Sequence, residues 1–143
     1  MHTTTVLLVD DEAEFVEALA ERLTARGLNV ESAGDGETAL RMSQAKVYDA
    51  ILLDMAMPGL DGLQTLRGLL EINPDQQVIL LTGRATLTQG VEAMKLGALD
   101  LLEKPADIAT LVARIEKAAT RRTSLQDERV QERVSDILRK KGW

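Results

Sequence analysis

The 143-residue sequence has no cysteine, one histidine, three prolines and three aromatic side chains, Phe15, Tyr48 and Trp143. Without cysteine there are no disulfides, no thiolate metal sites and no cysteine nucleophiles. The lone histidine, His2, lies at the extreme N-terminus, which leaves no basis for a Ser–His–Asp triad or a multi-histidine metal site. No stretch approaches the roughly 18 apolar residues that a membrane span needs, so no membrane partner is expected. Residues 1–5 carry no basic stretch followed by an apolar one, so a signal peptide is not expected and a cytoplasmic location is. The chemistry must rest on carboxylates, hydroxyls, lysine and arginine.

With 45% hydrophobic and 28% charged residues, the chain can build a core. Its length suits one domain with a small remainder. Residues 1–105 hold 17 acids and 8 bases, whereas residues 106–143 hold 6 acids and 9 bases. An acidic body does not suit direct nucleic-acid binding, and the interspersed charges of the basic end read as a solvated helix surface.

Short apolar runs alternate with helical patterns. Strands are expected at Val6–Val9, Asn29–Ala33, Ala50–Leu53, Val78–Leu81 and Ala98–Leu102. Helices are expected at 12–25, 36–45, 63–72, 86–96 and from Asp107 to about Thr120. Gly27 is placed to end the first, Asn73-Pro74 the third, and Asp107 to cap the fifth. Val91, Met94 and Leu96 supply the apolar positions of the fourth. Met57-Pro58-Gly59 punctuates a loop, and Asp35-Gly36 and Asp61-Gly62 read as turns without a functional role. Strands alternating with helices predict an α/β domain with a five-stranded parallel sheet, helices on both faces and function beyond the carboxyl ends of the strands.

At those ends the sequence places Asp10-Asp11-Glu12 after the first strand, Asp54 after the third, Thr82-Gly83 after the fourth and Lys104-Pro105 after the fifth. Clustered carboxylates repel and call for a cation; magnesium accepts such oxygens together with waters and a phosphate oxygen. Lysine can meet phosphate, threonine can donate a hydroxyl hydrogen bond, and an aspartate can form an acyl phosphate. The parts fit phosphoryl transfer. Each has an ordinary reading too: a helix cap for Asp10-Asp11-Glu12, a loop acid for Asp54, turn residues for Thr82-Gly83, a solvated lysine for Lys104. Their joint placement at the ends of different strands favours the functional reading.

The segments Val6-Leu7-Leu8-Val9-Asp10-Asp11, Leu52 to Gly62, Leu80-Leu81-Thr82-Gly83 and Leu102-Glu103-Lys104-Pro105 together make the sequence, over roughly residues 5–120, similar to the receiver domain of bacterial two-component response regulators. Thr88 to Ala98 most resembles receivers attached to AAA+ transcription activators. The resemblance implies a flavodoxin-like sheet of order 2-1-3-4-5. It implies a phosphorylation-controlled switch in which Asp54 accepts a phosphoryl group from a histidine kinase or phosphotransfer protein. By the same resemblance Asp11 binds Mg2+ directly and Asp10 through water, the Ala56 carbonyl completes the protein ligands with Asp54, and Lys104 and Thr82 contact the phosphoryl group. Such a module turns over nothing but its own phosphoryl group. Three positions depart from the family pattern: Leu101 replaces the usual tyrosine or phenylalanine, and Ala56 and Arg84 occupy positions that influence the attacking water.

Two other functions compete. A phosphatase resembling the haloacid dehalogenase group also uses aspartate, magnesium and lysine, but wants a second aspartate two residues after the nucleophile. Asp10 is followed by Asp11 and then Glu12, and no cap domain is evident. A non-phosphorylated scaffold would not need the full acidic set. Residues 121–143 form the remainder beyond a receiver of residues 1–120. Ser124 with Asp127 suggests a cap for a separate helix over 124–140, with an apolar stripe of Val130, Val134, Ile137 and Leu138. That stripe is expected to meet a second copy or a partner, with folding back on its own domain as the alternative.

Overall fold

The computed structural model describes residues 3–57, 61–83 and 87–142. His2, Arg84 and the Pro58-Gly59 part of the expected loop lie outside them. Ten elements alternate: β1 (Thr5–Val9), α1 (Ala13–Ala25), β2 (Asn29–Ala33), α2 (Gly36–Ala45), β3 (Ala50–Asp54), α3 (Gly62–Ile72), β4 (Val78–Thr82), α4 (Leu87–Leu96), β5 (Asp100–Glu103) and α5 (Ile108–Lys140). The strands form one parallel sheet in the order β2-β1-β3-β4-β5.

The apolar runs become strands because both sheet faces are covered. Val6, Leu8, Ala50, Leu52, Ile79 and Leu81 pack against Leu19 and Leu23 of α1 and Leu111, Ile115 and Ala118 of α5. Leu7, Val9, Ile51, Leu53, Val78 and Leu80 pack against Ala39 of α2, Leu66 and Leu69 of α3 and Ala93 of α4. Alternate residues of each central strand thus feed opposite cores, while the edge strands β2 and β5 are less buried.

Four details differ from the sequence-based expectations. Asp35-Gly36 and Asp61-Gly62 are helix starts, not free turns. Asp35 accepts the Thr38 N–H at 2.7 Å, and Asp61 forms a capping box with Gln64. Strand β5 begins at Asp100 because Gly97, at φ 118°, and Ala98 still close the end of α4. Helix α4 turns Ala93 inward and leaves Val91, Met94 and Leu96 exposed. No helix begins at Ser124, since α5 runs unbroken for 33 residues, about 50 Å. Neither glycine nor proline interrupts that span. The hydroxyls of Thr120 and Thr123 bond back to the Glu116 and Ala119 carbonyls, so Ser124 and Asp127 lie inside the helix. Among the described residues no helix is long and apolar enough to cross a membrane.

Candidate functional site

Parallel register brings the ends of β1, β3, β4 and β5 to one edge of the sheet. Asp54 and Thr82 are the last residues of β3 and β4, Asp10 follows β1, and Lys104 follows β5. The Lys104 N–H donates to the Thr82 carbonyl at 2.7 Å, and the Met55 N–H to the Leu81 carbonyl at 3.1 Å, which fixes the two loops carrying the charges. The Lys104–Pro105 peptide is cis.

Asp10 and Asp54 are buried, 4% and 3% exposed, whereas Glu12 is exposed. Carboxylate oxygens of these three residues lie within 4.8 Å of one another. The Lys104 ammonium donates to Asp10 Oδ2 at 2.7 Å and lies 3.6 Å from Asp54 Oδ2 and 3.9 Å from Glu12 Oε1. It sits where three acids need positive charge. Burial pushes the Asp54 carboxyl above its ordinary value; the Ala56 N–H, donating at 3.1 Å, opposes this, Asp10 adds to it, Lys104 opposes it, and Asp11 adds to it again. Burial disfavours the Lys104 charge, but the Asp10 hydrogen bond and the charges of Asp54, Asp10 and Glu12 outweigh it and hold the ammonium above its usual value.

Thr82 is fully buried, and among the described residues its Oγ1 has no hydrogen-bond partner. A buried hydroxyl left unpaired is unfavourable unless an acceptor or donor arrives. The strand ends therefore hold a cation-demanding carboxylate group, a lysine ammonium and an unsatisfied hydroxyl.

The family described as response regulator receiver domain matches residues 6–116. The chain belongs to this family. The receiver is 38% identical over 130 residues to response regulator MprA of Mycobacterium ulcerans (strain Agy99), covering 91% of this chain and 56% of that protein. It is 37% identical over 123 residues to transcriptional regulatory protein ZraR of Escherichia coli (strain K12), covering 86% of this chain and 28% of that protein. A solved response regulator receiver domain protein from Clostridium thermocellum superposes with a TM-score of 0.82 at 32% identity, covering 85% of this chain and 98% of that one. The receiver thus spans little more than half the length of MprA and under a third of ZraR.

Of the residues the sequence singled out, Asp10, Asp54, Thr82 and Lys104 meet at the strand ends. Asp11 is exposed and contributes no oxygen to the tight group, although its charge reaches Asp54. Ala56 is exposed in the turn after β3 and contacts Asp54 through its N–H. Glu12, to which the resemblance assigned no role, joins the carboxylates; its only signal was the run of three acids. The capping explanation of that run fails, since Glu12 makes no side-chain cap, and Asp10 Oδ1 accepts the Glu12 N–H at 2.9 Å. The sequence also gave no sign that Phe15, placed on the apolar side of α1, stacks on Lys104, whose Nζ lies 4.4 Å from the ring centroid.

Proposed function

We propose that the receiver is a phosphorylation-controlled switch that takes a phosphoryl group onto Asp54 from a phosphohistidine of a histidine kinase or phosphotransfer protein. The observation that carries this reading is the buried Asp54 carboxylate with Lys104 at 3.6 Å and two further acids beside it. An Asp54 oxygen attacks phosphorus in line; the new P–O bond forms as the P–N bond breaks, and the imidazole leaves with the electron pair. Lys104 leaves Asp10 for the transferred oxygens, and Thr82 Oγ1 gains the partner it lacks.

The donor set suits Mg2+. Oxygen ligands surround a place that an ammonium already neutralises. Asp10, Asp11, Asp54 and the Ala56 carbonyl would hold the ion, with Glu12 beside them. When bound it would neutralise charge on the phosphoryl oxygens. Residues 1–120 form the switch and residues 121–143 the helical extension that passes its state to an output partner, with pairing of two copies as one route.

Incubation with magnesium and acetyl phosphate, followed by intact mass, tests the reading. One phosphoryl adduct without turnover of unrelated phosphate esters is expected. Sustained ester hydrolysis would mean a phosphatase, and neither adduct nor turnover would mean a scaffold. Asp11→Ala should weaken the protection that magnesium gives against denaturant; undiminished protection would remove Asp11 from the ligand set.

A further inference from the structure

The site's electrostatics leave one contact unexplained by phosphate chemistry. The Lys104 ammonium makes one good hydrogen bond, to Asp10, while Asp54 and Glu12 stand at 3.6 and 3.9 Å, beyond hydrogen-bond reach. The ammonium also lies over the face of Phe15, 4.4 Å from the ring centroid. Phe15 is the only phenylalanine in the chain. The ring and the Lys104 side chain line one mostly apolar cleft of about 210 Å³ together with Leu19, Arg22, Ile108 and Leu111. An aliphatic side chain would fill that wall equally well but presents no negative face to a cation.

We propose that Phe15 is a positioning residue for Lys104: its ring holds the ammonium between Asp10 and Asp54, where the incoming phosphoryl oxygens need it. This rests on the phosphorylation reading above. Lys104 keeps a 20% exposed side chain, and Glu12 beside it is 66% exposed. Without the ring, the flexible stem swings toward Glu12 and water, and the ammonium must be recovered from solvent at each transfer. The ring therefore acts on the rate of the chemical step more than on the binding of the donor.

The test uses the full chain with Phe15→Leu, which keeps an apolar wall, and Phe15→Trp, which keeps a π-face. Nuclear magnetic resonance of the Lys104 side chain gives the first readout. In the native chain the ε-methylene protons should be shifted upfield by the ring current, with the shift lost in Phe15→Leu and kept in Phe15→Trp. The second readout is adduct formation from acetyl phosphate at saturating magnesium. Phe15→Leu should lower the saturating rate about five-fold, leave the half-saturating acetyl phosphate concentration within about two-fold, and be rescued by Phe15→Trp. Denaturant melts of all three proteins separate this from lost packing, because a packing defect slows the reaction only as far as it unfolds the protein. Unshifted Lys104 protons in the native chain overturn the proposal, as does a Phe15→Leu rate equal to native or a Phe15→Trp rate as low as Phe15→Leu. If the native chain accepts no phosphoryl group, the phosphorylation reading fails on its own, and the ring-current shift still decides whether Phe15 holds the ammonium.

Discussion

Tyr48, the single tyrosine, is buried in the connection between α2 and β3, and its hydroxyl donates to Glu31 Oε1 at 3.0 Å on the edge strand β2. Lys46 pairs with the same carboxylate. Burial first, then the hydrogen bond to Glu31 and the charge of Glu31, push the phenol up to about 12 from an ordinary 10.0. The folded phenol therefore holds its proton more tightly than the unfolded one. Its contribution to stability is complete below pH 10.0 and is lost as pH climbs through about 12. A single tyrosine makes this readable by phenolate absorbance. The native midpoint should lie near 12, and Glu31→Gln should bring it down toward 10.0. A native midpoint near the ordinary value would contradict the contact. At the same scale Asp49, buried just before β3, accepts the Thr5 N–H at 2.8 Å and an Arg122 Nη1 hydrogen bond at 2.8 Å, tying the start of β1 and α5 to the start of β3. Asp49→Ala leaves both donors without this acceptor and should lower the unfolding free energy by about 2 kcal/mol in denaturant melts. A change under about 0.5 kcal/mol would mean that the two bonds add nothing net.

Among the elements, α4 packs against the Thr82 side chain through its methyl group. A Cβ built on Gly90 would lie 2.8 Å from Leu101 Cδ1 and 3.1 Å from Thr82 Cγ2, so α4 sits against Thr82 only because residue 90 has no side chain. Leu101 is partly buried in the core beneath α4 and has no polar tip to trade between core and water. In the proposed phosphorylation Thr82 would turn toward the phosphoryl group, and α4, packed against its methyl, is the neighbour expected to follow. Hydrogen exchange with beryllofluoride should change along Leu87–Leu96. Change confined to residues 99–103 would contradict this. Gly90→Ala should cost about 1 kcal/mol, the overpacking outweighing the gain in helix propensity, with fluorescence-monitored melts as the check. The strands were legible because their apolar runs are short, continuous and end in polar residues. The helical apolar stripes of α1 and α2 were equally plain. The outward face of α4 was not, because its inward contacts are made by glycine and alanine, which carry little hydrophobic signal. The unbroken α5 was hidden by a plausible cap at Ser124, and nothing in the sequence says that a cap residue will stay in the ladder. The acidic site was readable from strand-end positions, whereas Glu12 and Phe15 depend on how the first turn of α1 is rotated, which only coordinates supply.

On the scale of the molecule, α5 binds the body at one end and leaves it at the other. Leu111, Ile115 and Ala118 are buried; further along, Arg122 pairs with Asp49, and Arg129 reaches Asp75 at 2.5 Å. Beyond Arg129, Val130, Val134, Ile137 and Leu138 are 45–57% exposed. An exposed apolar stripe at i, i+4, i+7 and i+8 gains from pairing with a second copy. Light scattering should show self-association of the full chain that is lost in a version ending at Thr120, with and without beryllofluoride as the two arms. Monomers throughout would leave the extension as a linker. The proposed switch turns on Asp54 as the phosphoryl acceptor. Intact mass after magnesium and acetyl phosphate, measured on the native chain beside a folded Asp54→Asn variant, tests that most directly. One adduct on the native chain and none on the variant is the predicted result, and an equal, acid-stable and base-labile adduct on Asp54→Asn would contradict it.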